Sequence, residues 1–201
     1  GTLLDIDHGT FPYVTSSNST VGGALTGTGL PPRCLGEVLG VFKAYCTRVG
    51  NGPFPSELLA EEGEKLRKLG GEFGATTGRP RRCGWFDLVA GRYAAGVNGL
   101  AGAVITKLDV LDSLPAIKVA EAYDLDGERR DDFPTRADEI PRARPVLKEL
   151  PGWEKPTGKC RKLSDLPSAA RKYLEYLEKE LGVLIIGISV GKARDQMILT
   201  P

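Results

Sequence analysis

Apolar residues recur with a helical period in several parts of the chain, and these parts are the predicted helices. Residues 35–41 have this spacing. A longer helix is predicted over residues 57–69, with Ser56 as its cap, acids in its first turns and bases in its last, as the helix dipole favours. A third helix is predicted over residues 87–98.

The clearest helical pattern lies near the end of the chain. It begins with Pro167 in its first turn and ends at Gly182, which are favoured positions for these two residue types. Glu175 and Lys179 stand four residues apart and are predicted to pair. The predicted buried face consists of Ala170, Leu174, Leu177 and Leu181.

Alternating or continuous apolar runs predict the strands. Residues 3–7 and 11–17 alternate and are expected to form two strands joined by a tight turn. Residues 42–49 also alternate. Residues 102–106 and 183–190 are continuous apolar runs, which are typical of strands buried in a parallel sheet.

The order of these elements predicts an α/β fold: a central, largely parallel sheet with helices on both faces, plus a small antiparallel appendage. Residues 22–32 are rich in Gly, Thr and Pro and predict an irregular loop. Residues 117–123 and a strand beyond Asp126-Gly127 predict a hairpin. The charged, proline-spaced stretch 129–156 predicts an edge ribbon, so that residues 116–160 would form a peripheral antiparallel subdomain.

Composition narrows the class of partner. The chain of 201 residues carries 27 basic and 26 acidic side chains, a formal charge of +1, which does not favour binding to nucleic acid or to an anionic membrane. It has no apolar run near the roughly 20 residues that a membrane helix needs, and its first residues do not form a secretory signal. We therefore expect a soluble, cytoplasmic protein.

Cysteine and histidine usage argues against a metal centre or a disulfide framework. The chain has one histidine and no C-x-x-C pair. Cys83 follows Arg82, which would lower the pKa of its thiol, but it has no nearby histidine base. His8 lies in a predicted turn after two aspartates, where it serves either as a hydrogen-bonding turn residue or as a general acid–base group. The cysteines are Cys34, Cys46, Cys83 and Cys160.

An arginine-rich loop over residues 74–82 is the strongest local signal. Glycines at 74 and 78 permit positive φ and close backbone approach, and Thr76 and Thr77 add hydroxyl groups. Three arginines, at 79, 81 and 82, offer planar donors that match carboxylate and phosphate. The pattern predicts an anion-binding loop, with a solvated basic turn as the alternative.

A second candidate site follows the predicted strand 102–106. Lys107 and Asp109 stand where open α/β sheets bind nucleotides. One carboxylate can accept from both N1–H and the exocyclic amine of guanine, and a lysine stem can lie along the purine face. An N-cap role for Asp109 is the alternative. Residues 189–192 (SVGK) also follow a predicted strand, but neither they nor Gly158-Lys159 form a G-x-x-x-x-G-K-[ST] phosphate loop.

Five segments, in order and spacing, resemble the adenylosuccinate synthetase family. They are residues 1–10 (GTLLDIDHGT), 14–18 (VTSSN), 47–50 (TRVG), 74–79 (GATTGR) and 106–109 (TKLD). The resemblance runs almost end to end and is least diagnostic over residues 128–164. It implies a GTP-dependent ligase that joins inosine monophosphate (IMP) and L-aspartate to form adenylosuccinate, GDP and phosphate in AMP synthesis.

The resemblance also implies roles for individual residues. The substrate-binding set would comprise a hydroxyl for the IMP phosphate, a backbone contact and the aspartate loop; these are Thr15, Val49, Ala75, Thr76, Thr77, Gly78 and Arg79. Of these, Arg79 would also reach IMP. The GTP-binding set would comprise a residue on the phosphate side, the guanine-reading segment and the loop closing the base pocket; these are Arg81, Lys107, Leu108, Asp109, Ser189, Val190 and Gly191.

The family's phosphate loop with its catalytic aspartate, its general-acid histidine and its Mg²⁺ ligands have no counterpart here. The chain therefore resembles the C-terminal half of the enzyme, which the family pattern implies to be a homodimer. We expect no ligase activity from the chain alone and assign no catalytic residue or metal ligand to it. Two other functions remain open: a non-catalytic guanine-nucleotide-binding module, and a nucleic-acid-binding domain using Arg79, Arg81 and Arg82.

Overall fold

Three parallel strands form the centre of the first sheet in the computed structural model, which describes residues 1–200. The strand order is β1-β5-β9-β10, in which β1 and β9 each run parallel to β5 while β10 is antiparallel to β9. The bounds are Val38–Lys43 for β1, Leu100–Thr106 for β5, Ile185–Ser189 for β9 and Met197–Leu199 for β10. The predicted, largely parallel sheet is therefore present.

A second four-stranded sheet is centred on the long strand β6, to which β4 is parallel and β7 and β8 are antiparallel. The bounds are Phe86–Asp87 for β4, Ala116–Leu125 for β6, Glu128–Arg130 for β7 and Arg144–Pro151 for β8. Asp126 and Gly127 both have positive φ, as the predicted tight hairpin turn requires. A short third sheet pairs β2, Cys46–Arg48, with β3, Arg82–Gly84.

Four α-helices accompany the sheets: α1 Val21–Thr28, α2 Ala60–Gly70, α3 Leu88–Asn98 and α4 Ser168–Leu181. The predicted face of α4 is buried. Gly91 of α3 permits close packing of α3 against α4, because a Cβ at this position would lie only 2.8 Å from a methyl group of Leu181 in α4. The predicted Glu175–Lys179 pair is replaced by a contact of 3.8 Å between Lys179 Nζ and Glu180 Oε1.

The main hydrophobic core lies between these layers and includes residues of both large sheets. Ile117 and Val119 of β6 are buried in it together with Ile105 of β5 and Leu177 of α4. The far end of β6 packs in a smaller cluster with Val89 and three residues from segment 133–143. The antiparallel strands thus share the principal core with the parallel sheet.

The two strands predicted near the N-terminus are wrong. Residues 2–4 form a 3-10 turn and no strand is present between residues 1 and 37. The cause is Asp5, whose buried carboxylate accepts from the backbone N–H groups of Asp7 at 2.9 Å, His8 at 3.0 Å and Ser19 at 3.2 Å. An aspartate that binds local N–H groups favours a turn over a strand.

Four further predictions differ from the structure. Residues 22–32, expected to be irregular, contain α1, which ends at Gly29 with φ of 69°. Residues 35–41, expected to be helical, lead into and form part of β1, because this segment pairs with β5. The predicted strand 42–49 is divided between β1 and β2. Ser56 does not cap α2, since its carbonyl accepts from Trp85 N at 3.0 Å and the helix begins at Ala60.

Candidate functional site

The three parallel strands end side by side, and this edge gathers most of the predicted GTP-binding residues. Lys43, the last residue of β1, is paired with Thr106, the last residue of β5. Next to them β9 ends at Ser189. Because Lys107 directly follows β5, it lies between the ends of its two neighbours, at the carboxyl edge where open α/β sheets bind ligands.

Lys107 has a constrained backbone and a fixed ammonium group. Its φ of 60° places its backbone in the left-handed region. Residues other than glycine rarely adopt this region, and those that do are often found at functional sites. Its Nζ donates to the carbonyl of Gly70 at 2.7 Å and to Glu72 Oε1 at 2.7 Å. Gly70 is the last residue of α2, so the cation also meets the negative end of that helix.

Asp109 lies in the 3-10 turn Leu108–Leu111 with its carboxylate half-buried. Within residues 1–200 no group donates a hydrogen bond to that carboxylate from another side chain or backbone. Burial and the nearby charge of Asp112 raise its pKa, while its own backbone N–H, Lys107 and Lys192 act in the opposite direction. A half-buried carboxylate that accepts from no other residue is available to a ligand that carries N–H donors.

The loop after β9 is closed by a residue that sequence reasoning missed, Gln196. Val190 is fully buried, and its N–H donates to the Gln196 carbonyl at 3.0 Å. The Gln196 side chain donates to the carbonyl of Gly158 at 3.0 Å. Ser189 Oγ donates to the carbonyl of Gly191 at 2.8 Å. A Cβ at Gly191 would overlap the Gln196 carboxamide, so glycine at this position lets Gln196 keep its hydrogen bonds.

The arginine-rich segment forms a closed, exposed loop. Gly74 N donates to the Arg79 carbonyl at 2.9 Å, and Gly78 N donates to the Gly74 carbonyl at 2.9 Å. Gly78 has φ of 63°, which explains the glycine. Arg79 N donates to Thr77 Oγ1 at 3.3 Å. Residues 75–80 are all exposed, so their hydroxyls, backbone amides and the Arg79 side chain are accessible.

The three arginines of this segment do not converge on one anion. Arg81 NH1 donates to Glu72 Oε2 at 2.8 Å. Arg82 Nε donates to Glu57 Oε1 at 2.8 Å, and this partner raises the pKa of Arg82. Among residues 1–200, Arg79 is the one of the three without a carboxylate partner. Arg81 and Arg82 are thus each paired with a carboxylate of the chain, which leaves Arg79 as the arginine whose charge is not paired within residues 1–200.

Thr15 and Val49 lie on neighbouring turns that Arg48 connects. Arg48 NH2 donates to Thr10 Oγ1 and to the carbonyl of Tyr13, both at 2.9 Å. Thr15 follows this turn, is exposed, and its Oγ1 accepts from Ser17 N at 3.2 Å. Val49 is exposed and lines an open cleft together with Lys43 and Arg81. The cleft thus connects one predicted substrate contact with one predicted GTP contact.

Glu72, which the sequence prediction passed over, lies at the centre of the site. Its fully buried carboxylate accepts from Lys43 Nζ at 3.0 Å, Tyr45 OH at 2.6 Å, Arg81 NH1 at 2.8 Å and Lys107 Nζ at 2.7 Å. Burial by itself would raise its pKa, but these four donors lower it to about 2. The available signal was its isolation, because it is the only acid in residues 65–86.

Cys83 and Cys46 have raised pKa values, and His8 is held through its backbone carbonyl. Burial raises the pKa of Cys83 to about 11 and that of Cys46 to about 12, so the expectation of a lowered pKa at Cys83 is wrong. The His8 carbonyl accepts from Tyr93 OH at 2.9 Å. Within residues 1–200 no group of three or more His, Cys, Asp or Glu side chains could hold a metal ion. The same residues contain no helix long and apolar enough to cross a membrane.

The family model for adenylosuccinate synthetase matches residues 1–198 of the chain. A relative named adenylosuccinate synthetase from Trichormus variabilis is 58% identical over 199 residues, which are 99% of this chain and 44% of the relative. A relative of the same name from Aquifex aeolicus is 56% identical over 200 residues, which are 98% of this chain and 46% of the relative.

A solved structure, described as fully ligated adenylosuccinate synthetase from Plasmodium falciparum, resembles the whole chain. The TM-score is 0.96 at 40% sequence identity, and the match covers 100% of this chain and 48% of that one. The chain thus spans somewhat less than half the length of the relatives it matches. The family model and these identities show that the chain belongs to the adenylosuccinate synthetase family.

Proposed function

We propose that this chain is the portion of an adenylosuccinate synthetase that carries the aspartate loop, part of the IMP site and the guanine pocket. The complete enzyme would use GTP to join IMP and L-aspartate, forming adenylosuccinate, GDP and phosphate. The observation that carries the proposal is the position of Lys107, Asp109 and Ser189 at the carboxyl ends of neighbouring parallel strands, in a chain of this family.

Asp109 is the proposed guanine-reading group. Its half-buried carboxylate could accept from both N1–H and the 2-amino group of guanine, whereas adenine has an acceptor at N1 and would be rejected. Leu108 is buried and fixes the turn that carries Asp109. The Lys107 ammonium is held by Gly70 and Glu72, which leaves its stem to pack on the purine. Val190 and Gly191 would close the pocket through backbone amides.

The proposed aspartate site is the exposed loop 75–79. The Arg79 guanidinium, with no carboxylate partner in residues 1–200, matches a substrate carboxylate in a bidentate arrangement. Thr76 and Thr77 add hydroxyl donors and Ala75 adds a backbone N–H, while Gly78, whose N–H is bonded to the Gly74 carbonyl, provides the turn that shapes the loop. Two further residues would bind the substrates: the Thr15 hydroxyl would bind the IMP phosphate, and the Val49 backbone would contact the substrates. Arg81 would face the GTP phosphates.

In the proposed reaction the γ-phosphoryl group of GTP passes to the 6-oxygen of IMP. The aspartate amine then forms a bond to C6 as the bond from C6 to the phosphorylated oxygen breaks and phosphate leaves. This chain would hold the amine donor at Arg79 and the guanine at Asp109, which positions the two reactants. Mg²⁺, which neutralises charge on transferring phosphates when bound, is assigned to side chains outside residues 1–200. We also propose a cytoplasmic homodimer.

The test is turnover with IMP, aspartate, GTP and Mg²⁺. We would compare the 201-residue chain with a complete protein in which the N-terminal portion of the Trichormus variabilis relative precedes it. The complete protein should form adenylosuccinate, and the chain alone should not. An inactive but folded complete protein would refute the ligase assignment, and turnover by the chain alone would refute the division of labour.

A non-catalytic guanine-nucleotide-binding module is the second candidate, favoured by the presence of the whole proposed base pocket within this chain. It predicts that the complete protein binds GDP, as measured by calorimetry, but that IMP and aspartate neither change this binding nor yield product. A response of GDP binding to aspartate would favour the ligase.

A further inference from the structure

The buried carboxylate of Glu72 has four donors from three segments of the chain. Lys43 ends β1, Tyr45 lies between β1 and β2, Arg81 precedes β3, and Lys107 follows β5. Two of these donors, Arg81 and Lys107, belong to the proposed GTP site. The other two have no assigned role in the proposed reaction.

We propose that Glu72 is the positioning residue of the guanine-nucleotide site, holding Lys107 and Arg81 in the orientations that bind GTP. This inference rests on the proposed function and extends it to a residue that would not itself touch the nucleotide. Glu72 Oε1 accepts from Lys107, and Glu72 Oε2 accepts from Arg81. One carboxylate therefore fixes the base side and the phosphate side of the site relative to each other.

The charge balance explains why the cluster suits a polyanion. Lys43, Arg81 and Lys107 contribute three positive charges and Glu72 one negative charge, which leaves a formal charge of +2. The Glu72 side chain is fully buried, whereas the three cations have exposed fractions of 27%, 31% and 35%. The cluster therefore presents its excess positive charge outward, toward the cleft that Lys43 and Arg81 line.

The backbone around Glu72 is fixed as firmly as its side chain. Glu72 N donates to the Arg67 carbonyl at 2.9 Å, and Arg81 N donates to the Glu72 carbonyl at 2.9 Å. Arg67 Nε donates in turn to the Arg81 carbonyl at 2.8 Å. Glu72 and Arg81 thus form the base of the loop that contains Arg79. A residue fixed in this way can hold long, flexible cations in one rotamer and so reduce the entropy lost when nucleotide binds.

The experiment uses the complete protein described above, with Glu72→Gln as the first variant. Glutamine keeps the shape but removes the charge and places an N–H₂ group against cations. We expect the Kd for GDP by isothermal titration calorimetry and the KM for GTP to rise roughly tenfold or more, the effect of one lost charge-assisted hydrogen bond. The KM for IMP should change less than about twofold.

The matched control is Glu178→Gln, whose carboxylate accepts from Ile185 N at 2.7 Å at the opposite end of β9.

A double-mutant cycle separates positioning from a general structural role. Lys107→Met removes the ammonium and retains the stem. If Glu72 acts through Lys107, the effects of Glu72→Gln and Lys107→Met on GDP binding will be less than additive. If they add fully, or if Glu72→Gln raises the KM values for GTP and IMP equally, the proposal is overturned.

Two outcomes keep this inference distinct from the ligase proposal. Failure of the unmodified complete protein to form adenylosuccinate, with GDP binding weakened by Glu72→Gln, would refute the ligase and support Glu72. Normal turnover with unchanged GDP binding in Glu72→Gln would refute Glu72 alone. If Glu72→Gln does not fold, Glu72→Asp replaces it, since it keeps the charge but draws the carboxylate back from Lys107 and Arg81. A Kd for GDP unchanged by Glu72→Asp would then refute the proposal.

Discussion

Lys107 Nζ lies 2.7 Å from Glu72 Oε1, although 35 residues separate the two along the chain. The contact joins the residue after a central strand to the segment that follows helix α2. An isolated buried carboxylate is strongly unfavourable, and it becomes acceptable only when cations and hydroxyl donors surround it. The proposed nucleotide site and the stability of the fold therefore depend on the same carboxylate.

The first prediction concerns acid. Because the folded-state pKa of Glu72 is about 2, below the ordinary 4.5, its stabilising effect is present above pH 4.5 and is lost as the pH falls toward 2. At about 1.4 kcal/mol per pKa unit, Glu72 accounts for about 3 kcal/mol of this loss. Urea denaturation of the chain between pH 2.5 and 7 should show a flatter pH dependence for Glu72→Gln than for the unmodified chain. A parallel pair of curves would contradict this.

The second prediction separates ligand recognition from stability at Asp109. Burial and Asp112 raise its pKa, so the charged form is disfavoured in the folded chain and Asp109→Asn should not lower the free energy of unfolding. The same change should lower the preference of the complete protein for GTP over xanthosine triphosphate by roughly tenfold or more, because an amide cannot accept from two guanine donors. Competition with labelled GDP gives the preference. An unchanged preference would remove Asp109 from base recognition.

The pH dependence of GTP binding follows from the same residue. Guanine binding requires the carboxylate, and its raised pKa means that protonation competes at a higher pH than for an ordinary aspartate. The KM for GTP should therefore rise as the solution becomes mildly acidic, and this rise should be absent in Asp109→Asn. An identical pH profile for the two proteins would contradict the assignment.

The third prediction tests the aspartate loop. Arg79 is exposed and has no carboxylate partner in residues 1–200, so Arg79→Ala should change the free energy of unfolding by less than about 0.5 kcal/mol. The KM of the complete protein for aspartate should nevertheless rise roughly tenfold or more through loss of a bidentate carboxylate contact. Arg33→Ala is the matched control, since Arg33 is also exposed. A KM for aspartate that stays constant would exclude Arg79 from this role.

Local sequence signals predict the elements that local interactions determine. The helix over residues 167–182 has its apolar face and its terminal glycine within its own sequence, and α4 confirms it. The apolar runs that become β5 and β9 are equally self-contained. By contrast β1 depends on pairing with β5, which the helical spacing of residues 35–41 does not reveal.

The same distinction between local and long-range interactions applies to the residues of the candidate site. Lys107 and Asp109 could be predicted because they directly follow a recognisable strand. Glu72 and Gln196 could not, because their roles arise from contacts between segments distant in sequence: Glu72 with Lys107, and Gln196 with Gly158. The turn around Asp5 was misread for a related reason, since one of its three backbone donors comes from Ser19.

The last prediction concerns the loop after β9. An added methyl group in Gly191→Ala would overlap the carboxamide of Gln196, which must then leave its contact with the Gly158 carbonyl. The displaced carboxamide would lose its hydrogen bonds to Gly158 and Ala193, which costs about 1–3 kcal/mol, and thermal denaturation of the chain should show it. GDP binding by the complete protein should weaken as well, because Gln196 also accepts from Ala193 N through its side chain and so closes the loop.

Two further variants test whether the overlap with the Gln196 carboxamide causes the loss of stability in Gly191→Ala. Gly36→Ala should leave both stability and GDP binding unchanged, because a Cβ at Gly36 would meet no atom within 4 Å. Adding Gln196→Ala to Gly191→Ala removes the overlap and should recover part of the lost free energy of unfolding. If the double variant is as unstable as the sum of the two single changes, steric conflict with Gln196 does not explain the glycine, and the backbone at residue 191 must be restricted by another neighbour.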